Sequence, residues 1–123
     1  MKAGKVWGET RALLVTPMLE VHDLLIVPHA YCSLHRHRAR CNAFVVTRGR
    51  LWIDVRQDDY ALTDATELGV GELAVVPPGL WHRFRSGEEG AACLELYYPP
   101  ALAGADIERR DVGGQGKAPT WLP

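Results

Sequence analysis

The stretch "SLHRHRARCNAFVVTRG", residues 33–49, decides the fold of this chain. Two histidines, His35 and His37, lie two residues apart and precede a strongly apolar run that ends near Gly49. On a β-strand, residues two apart project from the same face, so both imidazoles can reach one ion. Neutral imidazole is a common ligand for divalent transition metals. The stretch therefore predicts a metal-binding segment followed by a buried strand.

A second stretch, "GELAVVPPGLWHRF" at residues 71–84, supplies a third histidine. The proline pair fixes φ and Gly79 permits a sharp reversal, so this turn defines the direction in which His82 re-enters the fold. Three imidazoles at one point leave coordination positions open to water or substrate, as reactive metal sites require. We therefore predict that His35, His37 and His82 hold one divalent transition metal: iron, zinc, nickel, manganese or cobalt.

Length and charge limit the classes of protein to which the chain can belong. Its 123 residues fit a single domain, and 47% hydrophobic residues suffice for a core. The 14 basic residues balance 15 acidic ones without a basic run or stripe, so we expect neither nucleic acid nor a membrane as partner. No signal-peptide core or long apolar span occurs, and the three cysteines show no paired spacing. These features predict a cytoplasmic protein.

Hydrophobic patterning predicts an all-β fold. Short runs rich in Val, Ile, Leu and aromatic residues alternate with turn signals, and no run shows convincing helical periodicity. Many short strands with regular turns are typical of a sandwich or barrel. The predicted strands lie at residues 11–16, 19–27, 31–37, 42–47, 50–56, 71–77, 81–86 and 91–98, with a polar loop before the sixth.

We divide the chain into a barrel domain, residues 1–98, and an extended tail, residues 99–123. The tail is rich in proline and glycine and cannot form a central strand, because proline lacks the donor that a sheet requires. Residues 106–111 can form one short helical turn. Trp121 suggests that the tail docks on the barrel, and a disordered tail is the alternative.

The two histidine stretches resemble the two motifs of the cupin superfamily. The first motif runs Gly, five residues, HxH, three or four residues, Glu, six residues, Gly; the second runs Gly, five residues, PxG, two residues, His, three residues, Asn. The matching positions here are His35, His37, Gly49, Gly71, Pro77, Gly79 and His82. The resemblance implies a jelly-roll barrel of the double-stranded β-helix type over most of residues 10–98, with a metal inside and usually a homodimeric assembly.

Three positions depart from the cupin motifs. His29 stands at the first glycine, a turn position at which histidine tolerates an unusual backbone better than most residues. Ser86 replaces the final asparagine, which we expect to be a minor structural change. Asn42 replaces the glutamate that the resemblance implies as a further ligand.

The exchange of a carboxylate for an amide at Asn42 changes the charge of the predicted site. Three neutral imidazoles leave a divalent ion its full charge, which favours anionic ligands and lowers the pKa of bound water. The Asn42 carbonyl oxygen can still bind the metal or accept a hydrogen bond from bound water. The alternative is a degenerate site that binds no metal.

Cys41 offers a second comparison with the family. Cupin dioxygenases with three histidines and no carboxylate exist, and some of them, the thiol dioxygenases, carry a cysteine near this position. On a regular strand, however, Cys41 faces the side opposite Asn42, which favours a packing role for the thiol.

Alternation on the strands suggests which other side chains surround the metal. Glu95 and Tyr97 share one face of the last predicted strand, and Leu94 and Leu96 share the other. The leucine face favours the core and places Glu95 and Tyr97 in solvent; a polar barrel interior would reverse this and make them catalytic acid–base or substrate-binding groups. His22 is interpreted as a hydrogen-bonded structural residue. The candidate pocket-lining residues are Ser33, Phe44, Val46, Trp81 and Phe84.

Two classes of function remain open from the sequence. The first is a metal-dependent enzyme that acts on a small polar molecule, anionic or sugar-like, as a dioxygenase or as a sugar isomerase or epimerase. The segment "KVWG", residues 5–8, resembles the amino-terminal edge of cupins related to phosphomannose isomerases and nucleotide-sugar enzymes. The alternative is a non-catalytic, metal-assisted binding module, because neither motif contains an identifiable general base. Glu95 or Tyr97 inside the barrel would favour the enzyme, and exposure of both would favour the module.

Overall fold

A computed structural model of the protein describes residues 2–58, 62–100 and 115–117. These residues contain β-strands and no helix, so the prediction of an all-β fold is confirmed. No described segment is a helix of the length and apolarity needed to cross a membrane. The strands are β1 (Lys2–Lys5), β2 (Gly8–Val15), β3 (Glu20–Ile26), β4 (Cys41–Arg56), β5 (Asp64–Leu68), β6 (Leu73–Val76) and β7 (Trp81–Tyr98).

All strand pairs are antiparallel, and the order across the fold is β1-β2-β3-β7-β4-β5. The first half of β4 pairs with β6 and the second half pairs with β5. The second half of β7 pairs with β3, while its whole length follows β4. We call the group around β3, β6 and residues 91–98 the first sheet, and the group around β5 and residues 81–86 the second sheet.

The long strands β4 and β7 belong to both sheets because they bend at Gly49. Their pairing shifts register between Val46 and Arg48 and again between Gly49 and Leu51. Gly49 has a φ of 72°, and a Cβ at this position would collide with the carbonyl oxygen of Gly90. A larger residue would therefore force two backbones apart at the bend that closes the barrel.

Inward-facing side chains from both sheets fill the interior. Period-two alternation along β4 and β7 places one set of residues inside and the next outside. Trp7, from the turn between β1 and β2, packs edge-to-face on Phe84 with ring centroids 4.9 Å apart. The buried core consists of Leu24, Ile26, Cys32, Phe44, Val46, Leu51, Ile53, Leu68, Val76, Phe84, Ala91 and Cys93.

Several predicted segments differ from the observed ones. Residues 31–37 do not form a strand; they make only two isolated bridges, Tyr31 to Arg85 and His35 to His82. The bridged residues are four positions apart in one segment and three positions apart in the other, so no regular ladder forms between them. The predicted polar loop before β6 contains the edge strand β5. The possible helical turn at 106–111 and Trp121 lie outside the described residues.

Candidate metal centre

Reciprocal backbone hydrogen bonds hold two of the candidate ligands side by side. The His82 N–H donates to the carbonyl of His35 at 2.8 Å, and the His35 N–H donates to the carbonyl of His82 at 3.1 Å. The Gly79 N–H donates to the carbonyl of His37 at 2.8 Å, with Gly79 at a φ of 88°. The Pro-Pro-Gly turn is therefore bonded directly to the HxH segment, which fixes both backbones that carry the imidazoles.

The three imidazoles converge inside the barrel. One nitrogen from each of His35, His37 and His82 lies within 4.8 Å of the others. His35 Nδ1 donates to the carbonyl of Ser33 at 2.7 Å, and His82 Nδ1 donates to the carbonyl of Leu80 at 3.0 Å. These bonds place the proton of each ring on Nδ1 and leave the Nε2 lone pair for a metal, as in known histidine ligation.

Two buried polar atoms show that the site fits a cation. His37 Nε2 and Asn42 Oδ1 are both buried without a hydrogen-bond partner among the described residues. Buried polar atoms rarely lack a partner, so a pair of unsatisfied lone-pair donors beside two further imidazole nitrogens indicates a metal position. Burial lowers the pKa of His37 to about 4 and also lowers that of His82, which keeps both rings neutral and able to bind a metal.

Asn42 connects the histidines to a buried carboxyl group. Its Nδ2 donates to Glu95 Oε2 at 3.3 Å and lies 3.2 Å from His82 Nε2. Asn42 is fully buried, and Glu95 is 8% exposed. The same Nε2 lone pair of His82 can accept from the amide or bind an ion, so amide and ion compete for it. The unsatisfied Asn42 Oδ1 is the atom of this residue that remains available to a cation.

Glu95 and Tyr97 face the interior, so the expectation that they lie in solvent is wrong. Their neighbours Leu94 and Leu96 lie on the outer face, where part of their surface is exposed. Burial raises the pKa of Glu95, and burial together with the nearby Glu95 carboxyl raises that of Tyr97. The Tyr97 hydroxyl hydrogen-bonds Glu95. The barrel interior is polar at this end, so the polar face of the strand is buried and the leucine face lies outside.

His22, predicted as a hydrogen-bonded structural residue, makes a hydrogen bond and also lines the cavity. It is the cross-strand neighbour of Glu95, and its ring contacts that of Tyr97 edge-to-face at 5.7 Å. His22 Nε2 lies 3.3 Å from Glu20 Oε1, and Arg40 donates to the other Glu20 oxygen at 3.1 Å. Glu20 and His22 are two residues apart, so they share one face of β3 with the buried Leu24 and Ile26, and this shared pattern is visible in the sequence.

A cavity of roughly 440 Å³ lies beside the imidazoles. Ser33 and Phe84 line it, as do the polar residues His22, His35, Glu95 and Tyr97. Lys5, Val6, Trp7, Thr10 and Cys32 complete its wall.

The other candidate pocket residues lie outside this wall. Phe44 is buried with its ring 6.5 Å from that of His82, and Val46 belongs to the apolar core. Trp81 was expected at the rim, but it projects from the face of β7 opposite His82 and stacks under Arg36. The strand alternation that turns His82 inward necessarily turns Trp81 outward.

The departures from the motif have distinct structural roles. His29 has a φ of 52°, so its position does require an unusual backbone. Ser86 Oγ donates to the carbonyl of Val27 at 2.6 Å and accepts from the Ala30 N–H at 3.0 Å. The serine thereby ties the turn before the HxH segment to β7.

The three cysteines are buried and free. Burial raises the pKa of Cys32 to about 11 and also raises that of Cys93, which makes these thiols poor nucleophiles. Cys41 lies on β4 next to Asn42 and, by alternation, on the other face of the strand.

Comparisons with known proteins agree with this architecture. The family model of the cupin domain matches residues 23–97, and the chain belongs to the cupin family. None of the curated proteins matches the chain. The solved structure of oxalate decarboxylase from Bacillus subtilis, a protein with Mn(II) centres, superposes with a TM-score of 0.71 at 21% identity. The match covers 84% of this chain and only 28% of the decarboxylase.

Two other structures show the same fold over a larger share of their own length. KdgF from Halomonas sp. has a TM-score of 0.67 at 16% identity, with 79% of this chain and 83% of KdgF covered. The Cnp3 cupin domain from Schizosaccharomyces pombe has a TM-score of 0.67 at 11% identity, with 77% and 66% covered. At these identities the likeness establishes the jelly-roll fold and nothing about substrate.

Proposed function

We propose that this cupin is a mononuclear metal enzyme that moves a proton on a small, anionic hydroxy- or oxo-compound, as a sugar isomerase or epimerase does. One observation carries the proposal: His22, Glu95 and Tyr97 line the same cavity as the candidate metal ligand His35. Acid–base catalysis requires titratable groups within reach of the transferred proton. A binding module needs no such set of buried titratable groups.

The residues that would hold the metal are His35, His37 and His82, with Asn42 Oδ1 as a further oxygen donor. Imidazole ligands suit iron, cobalt, nickel and zinc, an oxygen donor such as Asn42 Oδ1 suits manganese, and metal availability decides among them. When bound, a divalent metal acts as a Lewis acid that polarises a carbonyl or hydroxyl oxygen of the substrate. Manganese has a precedent among the structural neighbours, because oxalate decarboxylase has Mn(II) centres.

Glu95 and His22 divide the acid–base work in this proposal. The raised pKa of Glu95 favours its protonated form, so this carboxyl group donates a proton or a hydrogen bond toward the cavity. His22 gives its Nε2–H to Glu20, which fixes the ring and leaves Nδ1 as the basic atom. Glu95 and His22 thus lie on adjacent strands of one cavity wall.

Charge favours an anionic substrate. The three imidazoles and Asn42 add no negative charge, so a bound divalent metal would keep its full positive charge in a buried site. Lys5 adds a cation at the cavity wall. Oxalate, named in one structural neighbour, is a small anion of this kind and serves as a first binding probe.

The test combines metal analysis with proton exchange. Purified protein is expected to contain about one equivalent of metal, and NMR in D2O is expected to show deuterium entering uronates or hydroxy-acids next to their carbonyl carbon. Glu95→Gln should lose this exchange and keep the metal, whereas the matched variant Glu67→Gln, on the exposed edge strand β5, should keep both. Metal-loaded protein that exchanges no compound in the panel would contradict the enzyme and favour the binding module.

A dioxygenase is the second candidate, favoured by the absence of a carboxylate among the three converging ligands. Iron-loaded protein consuming oxygen with a substrate that shows no deuterium exchange would select it. Deuterium exchange therefore supports the isomerase or epimerase, and oxygen consumption supports the dioxygenase.

We further propose that the protein is a homodimer that associates through the outer face of the first sheet. Leu14, Leu73 and Val75 on this face are about half exposed, at 46%, 56% and 47%. Leu94, Leu96 and Val45 continue the face across β7 and β4. Contiguous exposed apolar surface of this kind marks association sites. Light scattering should show a dimer that Val75→Glu converts to monomer; a monomeric parent would contradict the assembly.

A cytoplasmic location is proposed on the state of the thiols. Cys32, Cys41 and Cys93 are free, as expected where thiols remain reduced. Localisation of a tagged full-length protein in its own cell is the measurement that checks this proposal.

A further inference from the structure

The outer face of the second sheet has a composition unlike that of the first. On β7, Trp81, Arg83 and Arg85 alternate with the buried His82 and Phe84, so they point away from the interior. On β4, Trp52 lies opposite Arg85 in the ladder. Tyr31 and Arg36, from the segment that carries the histidine ligands, flank these strands. We call this set the arginine–aromatic strip: Tyr31, Arg36, Trp52, Trp81, Arg83 and Arg85.

Each arginine of the strip is held against an aromatic ring. The Arg36 guanidinium lies 4.7 Å from the centre of the Trp81 ring. Arg85 lies 5.4 Å from Trp52, and Arg83 lies 5.7 Å from Tyr31. Stacking on a ring restricts the long side chain while leaving the edge of the guanidinium free for hydrogen bonds. The three forks are therefore preorganised on the surface.

The strip has more positive than negative charge. Asp54 is 6% exposed and accepts from both neighbours, from Arg85 at 2.9 Å and from Arg83 at 3.4 Å. One carboxylate thus pairs with two guanidiniums, and Arg36 adds a third positive charge to the strip. The nearby Glu67 on β5 is ion-paired with Arg50, so its negative charge does not offset the charge of the three strip arginines. Each fork retains N–H groups that one shared carboxylate does not satisfy.

The strip contributes little to the core. The core on this sheet is formed by the opposite, inward faces of the same strands, where Ile53 and Phe84 are 1% and 3% exposed. Tyr31 is 63% exposed, and Arg83 and Arg85 keep 42% and 40% of their side chains in solvent. Arg, Trp and Tyr are the residue types that dominate binding energy in protein–protein interfaces. We propose that the strip docks an acidic segment of a partner protein, whose Asp and Glu carboxylates bind the three guanidiniums.

An acidic protein fits the strip better than single-stranded nucleic acid does. Proteins that bind single strands need open aromatic faces on which bases stack. Here the guanidiniums occupy one face of the Trp52, Trp81 and Tyr31 rings, and the sheet lies behind Trp52, whose ring packs close to Gly87. The guanidiniums, by contrast, keep N–H groups that point to solvent, and a row of planar forks suits bidentate carboxylates.

The experiment measures the binding of a labelled, short poly-L-glutamate peptide to the full chain by fluorescence anisotropy at low salt. The parent should bind, and Arg83→Gln/Arg85→Gln should bind at least about tenfold more weakly, because hot-spot arginines carry most of such binding energy. The matched control Arg11→Gln/Arg48→Gln removes the same net charge elsewhere and should bind as the parent does. Asp54→Asn is added to the double variant as a second test, so that no buried carboxylate is left unpaired if the double variant fails to fold.

Three results would overturn the proposal. They are no peptide binding by the parent, equal loss of binding in the control variant, and tighter binding of an oligothymidylate of equal charge than of the peptide. The last result would assign the strip to nucleic acid instead. Metal content and proton exchange do not enter this experiment, so its outcome is independent of the proposed activity.

Discussion

The barrel interior has two regions of opposite character. Around Leu51 and Ile53, which are 0% and 1% exposed, the interior is mainly apolar, and the buried Ser86 hydroxyl there is hydrogen-bonded to the Val27 carbonyl. Around Asn42 and His82, which are equally buried at 0% and 1%, it is polar and leaves lone pairs unsatisfied. Burying polar groups without partners costs free energy, whereas burying apolar groups stabilises the fold. The comparison shows a barrel in which one region stabilises the fold and the other is polar with incomplete hydrogen bonding.

Removal of a ligand from the polar region should have the largest effect. We expect His82→Ala to lose the metal, because only two imidazoles and one amide oxygen would remain to bind it. The affinity for the metal should fall by at least about 100-fold. Elemental analysis of parent and variant checks this. Circular dichroism should show that both remain folded, and a variant that keeps one equivalent of metal would contradict the three-histidine site.

Truncation in the apolar region should reduce stability and leave the metal in place. Leu51→Ala is expected to lower the free energy of unfolding by about 2–5 kcal/mol, the range for removing a buried leucine side chain. Chemical denaturation of the metal-free proteins measures the loss. If the variant also lost metal at temperatures where it is folded, the two interior regions would not be separable as described.

The pH dependence of stability should distinguish the two regions through Glu95. Because its folded pKa is raised, the metal-free parent should lose stability as pH rises from the ordinary value of 4.5 through the folded pKa. Glu95→Gln removes this dependence, so it should gain stability relative to the parent over that window. An equal pH dependence of stability in parent and variant would show that folding does not raise the pKa of Glu95.

The histidines should act in the opposite direction in both proteins. Since the pKa of His37 is lowered from 6.5 to about 4, its contribution to stability is complete above pH 6.5 and is lost as pH falls through that range. His82 has a lowered pKa and the same sign. Acid destabilisation should therefore persist in the Glu95→Gln variant.

Restoring a carboxylate at Asn42 should have the smallest effect. Asn42→Asp adds a negative charge beside the candidate ligands and should raise metal affinity by about tenfold, equivalent to about 1.4 kcal/mol. The gain is limited because Glu95 is close and two carboxylates repel each other. Competition with a chelator measures it, with Asn42→Leu as the control that should bind more weakly than the parent. An unchanged affinity in both variants would place the metal out of reach of residue 42.

Motif spacing was sufficient to predict the fold and the three imidazoles. The HxH pair and the Pro-Pro-Gly turn are local patterns, and local sterics determine how each presents its histidine. Strand prediction failed at residues 31–37 because whether this segment pairs regularly depends on a distant strand. Tyr31 and His35 are four positions apart, whereas their partners Arg85 and His82 are three positions apart, so only isolated bridges form. No property of the seven residues themselves reveals that partner.

Sequence alone therefore determined the cupin family, the all-β architecture and the identity of the three candidate metal ligands, since these follow from short-range patterns. Only the tertiary structure decided which face of each strand is the interior. It turned Glu95, Tyr97 and His22 toward the imidazoles and turned Trp81 outward. It also gathered arginines and aromatic residues from three separate segments into one strip. The physical reason is that strand alternation defines two faces but not which one is buried; pairing with other strands and closure of the barrel make that choice.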